Sequence, residues 1–303
     1  MFNKLVIIEK INMLDDDVIK LSTLAKKVVY YKDLPQNDDE IIKRINDADA
    51  ALLSYTSKID SYVIDNCKNL KYIGMCCSLY SKESANVDIE YAEKNNIVVK
   101  GIRDYGDNGV AEYIIHELTG FLENYDGSFK WSKYPQEISS LKCAVIGLGT
   151  SGTLIARTLK FFGAEVSYYS RTRKENLEKE YGFIYRPLDE CLKDSDAIFL
   201  ALNKNVLLLG EHEFKLMKGK KILFNTSIGP GFEVEHLRNW LKDKNHYFFG
   251  DTLETIGDIK LWDLDNTFTI ARSSGGSTFE AYKRLGEKVI DNITAYFKEN
   301  LIK

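Results

Sequence analysis

A glycine-rich segment, Gly147-Leu148-Gly149-Thr150-Ser151-Gly152, directly follows the apolar run 141–146 and opens a helix-patterned stretch. In a strand–turn–helix unit the first glycine permits the tight turn and the second lets a pyrophosphate approach the backbone. The third lets the helix pack closely on the sheet. This segment therefore predicts a dinucleotide-binding turn, with contacts from Gly147, Gly149, Thr150, Ser151 and Gly152.

The charge after the next strand bears on the choice of dinucleotide. Folds that bind NAD usually carry an acidic residue about 20 residues after the glycine turn, where it binds the ribose hydroxyls. Here the strand 165–169 is followed by Ser170, Arg171, Thr172, Arg173 and Lys174. Guanidinium groups bind a 2′-phosphate that an acid would repel. We predict NADP, with NAD less favoured, and contacts from residues 170–173; a solvated basic turn is the alternative.

Other cofactor contacts are expected where further strands end. In open parallel sheets, ligands bind outside the carboxyl ends of the strands. Candidate strands at 197–202, 221–225 and 247–249 bring polar residues to this edge. The additional predicted contacts are Asn203, Thr226, Ser227 and Asp251.

Composition favours an ordered protein with a small-molecule ligand. The 303 residues are 44% hydrophobic and 28% charged, with a net charge of −4 that forms no basic stripe. This argues against nucleic acid as a partner. No apolar run approaches the roughly 18 residues of a membrane span, and no signal-peptide pattern is seen, so we expect a cytoplasmic protein. The five cysteines lack zinc spacing and no metal is expected; Cys76 and Cys77 are predicted to lie in the core rather than form a redox pair.

Apolar, β-branched runs alternate with helix-patterned stretches along the whole chain, which is typical of α/β proteins with parallel sheets. Strands are predicted at 5–9, 28–31, 51–54, 71–75 and 97–99, and again at 141–146, 165–169, 183–185, 197–202, 221–225, 247–249 and 267–270. Helices are predicted between these strands at 39–47, 60–69 and 88–95, and near residues 153, 174, 214 and 233. Helices at 110–122 and 278–300 would link the two series and return the chain to the first. The predicted fold is two doubly wound domains: a flavodoxin-like domain of 1–105 with 285–303, and a Rossmann domain of 106–284.

This order of domains resembles the D-isomer-specific 2-hydroxyacid dehydrogenase family. The glycine turn, Val110-Ala111-Glu112 at a helix start and Gly275-Gly276-Ser277-Thr278 before the last helix carry the resemblance. The 170–174 segment is similar to that of NADPH-using glyoxylate and hydroxypyruvate reductases. The resemblance implies hydride transfer between a nicotinamide and a 2-oxo or 2-hydroxy acid. It also implies a homodimer built on the Rossmann domain, with the flavodoxin-like domain binding substrate.

The family's catalytic residues do not carry over. Its substrate-binding arginine falls on Ile228, its acid on Ile256 and its acid/base histidine on Ser273. A neutral side chain cannot supply a bidentate carboxylate contact, and serine is a poor proton carrier near pH 7. Lactate-type chemistry is therefore expected to be lost or replaced.

Substitute groups are few. Arg272 or Arg103 could bind an anionic substrate, and Glu254, Tyr105 or Lys82 could transfer a proton; a structural or solvated role is the alternative for each. His116 is expected to be buried on the predicted helix 110–122. Three functions remain open: a reductase with a rebuilt active site, a non-catalytic protein that binds NADP as a structural or sensing ligand, and an interaction module without dinucleotide.

Overall fold

The computed structural model describes residues 1–125, 127, 131–204, 206–270 and 274–301. Within these residues the chain forms two compact units, Met1–Tyr105 with Thr278–Lys303, and Gly106–Ser277. The sequence placed the return to the first domain at 285, whereas the compact units change at Thr278, just before the last helix.

The first unit contains a parallel sheet whose five described strands lie in the order β2-β1-β3-β4-β5, the flavodoxin-like order. Four described helices follow strands or connect them, and their buried residues pack on the sheet faces. The elements are β1 (Leu5–Ile7), α1 (Asp15–Lys20), β2 (Val28–Tyr30), α2 (Asp38–Ile45), β3 (Ala50–Leu53), α3 (Ser61–Asn66), β4 (Tyr72–Ser78), α4 (Ile89–Lys94) and β5 (Val98–Ile102).

The second unit begins with the long helix α5 (Asp107–Glu123) and contains a parallel sheet of seven described strands. Its elements are β6 (Lys142–Ile146), α6 (Thr150–Phe161), β7 (Glu165–Tyr169), α7 (Glu175–Tyr181), β8 (Ile184–Tyr185), α8 (Leu188–Asp194), β9 (Ala197–Leu200), α9 (Glu211–Leu216), β10 (Lys221–Asn225), α10 (Val234–Trp240), β11 (His246–Gly250) and β12 (Thr267–Thr269). The strand order β12-β11-β10-β9-β6-β7-β8 reverses direction at β6, as in Rossmann folds. The predicted fold class is confirmed.

The last helix, α11 (Phe279–Leu301), belongs to the first unit. Its apolar face buries Leu285, Val289 and Ile293 against β1, β3 and β4. A side chain at Gly286 would overlap the carboxylate of Asp17 on α1, so this glycine permits the two helices to approach closely.

The sequence analysis predicted that His116 is buried on α5, and this prediction is wrong. The buried face of α5 carries Tyr113, Ile114 and Leu118, whereas the side chain of His116 is 84% exposed. His116 lies away from this face because residues two apart on a helix point in different directions. It is therefore a surface residue.

All five cysteines are buried. Cys76 and Cys77 lie on β4 and, because successive strand residues alternate, their side chains join the cores on opposite sheet faces. Burial raises the pKa of Cys67 to about 11 and that of Cys76 well above its ordinary value. The prediction of a core role for Cys76 and Cys77 is confirmed. In the described part of the chain, no helix combines the length and apolar character needed to cross a bilayer.

Candidate dinucleotide site

The glycine turn links β6 to α6 at the carboxyl edge of the second sheet. Gly147 has a φ of +98°, and a side chain there would overlap the carbonyl oxygen of Ala201 beyond β9. A side chain at Gly152 would overlap the carbonyl oxygen of Gly147. The first and third glycines are therefore required by the fold of the turn itself.

Gly149 differs from its two neighbours. Apart from its chain neighbours and the backbone of α6, no described residue has an atom within 4 Å of where its Cβ would be, and its φ of −84° is accessible to any residue. Gly149 caps α6, whose first-turn amides have no acceptors within the helix and carry the positive end of the helix dipole. This open backbone next to free amides fits the pyrophosphate of a dinucleotide.

Ser151 is tied to a residue that the sequence did not single out. Its hydroxyl donates a hydrogen bond to Oδ1 of Asp107, the first residue of α5. The pair joins the starts of α5 and α6, two helices that pack together on the same face of the sheet. The predicted contact of Ser151 with a cofactor stays a prediction, and through its side chain Ser151 also fixes the orientation of the turn.

The two arginines after β7 lie in different surroundings. Arg171 and Thr172 are exposed, and the hydroxyl of Ser170 donates to the carbonyl oxygen of Thr172 at 2.6 Å. The guanidinium of Arg173 instead donates two hydrogen bonds, 2.7 and 2.8 Å long, to the carboxylate of Glu178 on α7. Arg171 is thus free to bind a phosphate, whereas Arg173 already has an anionic partner.

The polar residues beyond β9 and β10 lie at the same edge. Asn203 is exposed, whereas Ser227 is buried and accepts a hydrogen bond at 2.9 Å from the amide of Leu202. The hydroxyl of Thr226 donates to the carbonyl oxygen of Leu200 at 3.2 Å. Thr226 and Ser227 therefore hold two neighbouring strand ends together, and their contact with a cofactor stays a prediction.

Asp251 follows β11 and is almost completely buried. Its carboxylate accepts hydrogen bonds from the hydroxyl of Ser274 and the amide of Gly275, both 3.1 Å long. Burial raises the pKa of Asp251 to about 6, and these two hydrogen bonds oppose part of the rise. Asp251 organises the segment that precedes α11. The hydroxyl of Tyr113 is also buried and has no hydrogen-bond partner among the described residues.

The positions of the family's catalytic residues differ in their surroundings. Ile228 is 56% exposed after β10, whereas Ile256 is fully buried in the core of the second unit. Glu254 is exposed on the short 3₁₀ helix Leu253–Ile256. Arg272 and Ser273 lie outside the described residues. Ile256 thus serves packing and offers no group for acid/base chemistry.

In the first unit, Arg103 and Lys82 have specific partners. Arg103 donates hydrogen bonds to the carbonyl oxygens of Leu79 and Tyr80, and its guanidinium lies 5.6 Å from the ring centre of Tyr80. The ammonium group of Lys82 forms an exposed ion pair with Glu93 at 2.6 Å. Arg103 therefore holds the loop after β4, and Lys82 is paired on the surface.

Arg284 contacts the backbone of Tyr105, which follows the end of β5 in the first unit. Burial raises the pKa of Tyr105 to about 12, so its hydroxyl is a weak proton donor. The Nε atom of Arg284, on α11, donates to the carbonyl oxygen of Tyr105 at 2.8 Å. Arg284 is half-buried and forms no ion pair with any described residue. The sequence did not single out this arginine, because it is 179 residues from its partner.

Comparisons with known proteins agree with this architecture. The NAD-binding domain model of the D-isomer-specific 2-hydroxyacid dehydrogenases matches residues 121–271. A protein of Staphylococcus aureus whose name places it among the 2-hydroxyacid dehydrogenases is 31% identical over 276 residues, which cover 84% of each chain. The fold and the glycine turn thus define a nicotinamide-dependent oxidoreductase. The chain belongs to the D-isomer-specific 2-hydroxyacid dehydrogenase family.

Two further relatives are more distant. A glyoxylate reductase of Pyrococcus furiosus is 28% identical over 284 residues, which cover 85% of this chain and 82% of that protein. The structure of D-lactate dehydrogenase from Escherichia coli without ligand superimposes with a TM-score of 0.78 at 20% identity, covering 98% of this chain and 97% of that one. This second likeness concerns the fold.

Proposed function

We propose that this protein is an NADPH-dependent reductase that converts a small 2-oxo acid into the corresponding 2-hydroxy acid. The observation that carries the proposal is an open glycine turn at Gly149 combined with the exposed Arg171 after β7. The turn can receive the pyrophosphate and Arg171 the 2′-phosphate. The glyoxylate reductase of P. furiosus supports a 2-oxo acid as substrate class.

The charge distribution after β7 supports NADP rather than NAD. Residues 170–174 include three basic residues and no acid. A carboxylate bound to the ribose hydroxyls would repel a 2′-phosphate, whereas a guanidinium attracts it. NADH lacks this phosphate, so Arg171 offers it no comparable interaction.

A 2-oxo acid is an anion at neutral pH and needs a cationic partner. The family's arginine is replaced by Ile228, so we propose that Arg284 binds the substrate carboxylate. Two observations support this choice: its Nε atom is anchored on the backbone of Tyr105, and it forms no ion pair with a described carboxylate. An anchored guanidinium can still present its terminal nitrogens to an anion. Arg103 is a less suitable ligand because it is engaged with two carbonyl oxygens.

The reduction needs a hydride at the carbonyl carbon and a proton at its oxygen. Bound NADPH supplies the hydride. The chain must bind both reactants, orient them and provide the proton, and it does so without the family's histidine and acid. We therefore propose an active site that differs from the family pattern at Ile228, Ile256 and Ser273.

A second candidate function is binding of NADP without turnover. The burial of Ile256 in the core favours it, because this position no longer presents an acid. The third possibility, an interaction module without dinucleotide, is disfavoured by the preserved open turn at Gly149.

The deciding experiment has two stages. First, the protein is titrated with NADPH and NADH at fixed moderate salt, following the nicotinamide fluorescence. The dissociation constant of NADPH should be at least about tenfold lower than that of NADH, because one additional charge-assisted hydrogen bond contributes about this much. Second, NADPH oxidation is measured with glyoxylate, other 2-oxo acids, aldehydes and imines. Turnover of a 2-oxo acid supports the reductase; tight NADPH binding with oxidation at the rate without enzyme supports the non-catalytic candidate.

The absence of binding of either dinucleotide would contradict both candidates and leave the interaction module. We also propose a homodimer built on the second unit, as the family resemblance implies. Sedimentation at micromolar concentration tests this, and a monomer would contradict it.

A further inference from the structure

The guanidinium of Arg173 is paired with a carboxylate within the second unit through two of its N–H groups, although its side chain is 54% exposed. Its Nε and Nη2 atoms donate to the two carboxylate oxygens of Glu178, 2.8 and 2.7 Å away. The guanidinium carbon also lies 5.4 Å from the ring centre of Tyr185 on β8. A two-pronged ion pair over an aromatic ring fixes both the position and the orientation of Arg173.

Glu178 is itself held by the sheet beneath it. The hydroxyl of Tyr168 donates to Oε1 of Glu178 at 2.7 Å and accepts from the amide of Lys174 at 2.8 Å. The ring of Tyr168 is fully buried in the sheet, and only 15% of the Glu178 side chain is exposed. The hydrogen bonds from Arg173 and from the hydroxyl of Tyr168 lower the pKa of Glu178 to about 2. The carboxylate is therefore charged and in place throughout the neutral pH range.

Arg171 has none of these restraints. It is exposed and forms no hydrogen bond or ion pair with any other described residue. The two arginines of this short segment are therefore not equivalent. A phosphate that approached Arg173 would meet the negative charge of Glu178 beside it, so Arg173 should attract the phosphate less strongly than the unpaired Arg171 does.

We propose that Glu178 is a specificity-determining residue that withholds Arg173 from the 2′-phosphate of NADPH, so that Arg171 alone discriminates NADPH from NADH. The proposal rests on the NADPH preference proposed above. Glu178 thereby limits the preference for NADPH over NADH. The second guanidinium of the segment, that of Arg173, holds the loop between β7 and α7 instead of binding the phosphate. Removing the carboxylate charge frees Arg173 for the phosphate.

The experiment compares the dissociation constants of NADPH and NADH, measured by nicotinamide fluorescence at fixed moderate salt. The variants are Arg171→Ala, Arg173→Ala, Glu178→Gln and the double variant Glu178→Gln with Arg173→Ala. Glu175→Gln is the matched control, because it removes the same charge from the exposed side of α7 without a hydrogen bond to Arg173. The substitution Glu178→Gln keeps a carbonyl oxygen that can accept the hydrogen bond of Tyr168.

We expect Arg171→Ala to weaken NADPH binding by about tenfold or more and Arg173→Ala to change it by less than about twofold. Glu178→Gln should strengthen NADPH binding by about tenfold and leave NADH unchanged, since one charge-assisted hydrogen bond is gained. Adding Arg173→Ala should abolish this gain. Glu175→Gln should change neither dinucleotide by more than about twofold.

Three results would overturn the proposal. Arg173→Ala could weaken NADPH binding as much as Arg171→Ala, which would mean that Arg173 contacts the phosphate despite its ion pair with Glu178. Glu178→Gln could leave the ratio of the two dissociation constants unchanged, or its gain could survive in the double variant. If Glu178→Gln does not fold, the Arg173→Ala result decides. A wild-type protein that binds NADPH no tighter than NADH, with no effect of Arg171→Ala, contradicts the proposed NADPH preference instead.

Discussion

The hydroxyl of Ser151 donates a hydrogen bond to the carboxylate of Asp107, which joins the first turn of α6 to the first turn of α5. Ser151→Ala removes this bond, and we expect the free energy of unfolding to fall by about 1 kcal/mol. Urea denaturation measures the change. Because NADPH and NADH share the same pyrophosphate, the ratio of their affinities should stay constant. A changed ratio would show that Ser151 acts on the 2′-phosphate end.

A substitution at Gly149 should weaken dinucleotide binding without lowering the stability of the fold. Gly149→Ala places a methyl group in open space at an ordinary φ, so the folded protein should be as stable as the wild type or slightly more stable. The same methyl group obstructs the approach of the pyrophosphate, and both dinucleotides should bind at least about tenfold more weakly. Thermal denaturation and fluorescence titration measure the two effects.

Gly147→Ala is the contrasting variant. Its φ of +98° and the overlap with the carbonyl oxygen of Ala201 should destabilise the fold by more than about 1 kcal/mol.

Unaltered dinucleotide binding by Gly149→Ala would mean that the ligand does not approach this turn.

Arg284→Gln should raise the KM for a 2-oxo acid by about tenfold or more, because it removes the proposed charged ligand of the substrate carboxylate. The dissociation constant of NADPH should change little. The matched control is Lys283→Gln, an exposed neighbour on α11. Steady-state kinetics with glyoxylate provide the measurement, and equal effects of the two substitutions would exclude a specific role for Arg284.

Asp251 should make stability depend on pH in an unusual direction for an acid. Its pKa is about 6 in the folded protein, above the ordinary value near 4, so the folded state binds the proton more tightly than the unfolded state. The free energy of unfolding therefore falls as pH rises from about 4 through about 6. Asp251→Asn should remove this dependence.

The expected difference between the wild type and Asp251→Asn grows by up to about 3 kcal/mol between about pH 4 and about pH 7. Urea denaturation at several pH values measures it, with the exposed Asp263→Asn as control. A constant difference across this range would mean that Asp251 titrates at an ordinary pKa.

Much of the fold could be predicted because the strands coincide with apolar, β-branched runs in the sequence. The strands β7 and β10 have the predicted bounds, and α5 and α11 differ by only a few residues. The prediction missed α1 and α8, which have six and seven residues. Helices this short depend on tertiary packing more than on local propensity, so their sequences carry a weak signal.

The candidate site could be predicted only in part. The glycine turn and the basic residues after β7 are local patterns, and each is visible in a few consecutive residues. The partners of these residues are not local: Ser151 and Asp107 are 44 residues apart, and Arg284 and Tyr105 are 179 apart. Even Arg173 and Glu178, five residues apart, meet only because the loop folds back onto α7. Patterns of residue type do not show which charge is already neutralised.

The buried cysteines have a practical consequence. Thiol reagents attack thiolates that they can reach, and here all five thiols are enclosed. A single cysteine introduced on the surface would therefore be the preferred site of labelling without removal of any native residue. One such label in the second unit would report the binding of NADPH by its fluorescence, in the otherwise native sequence.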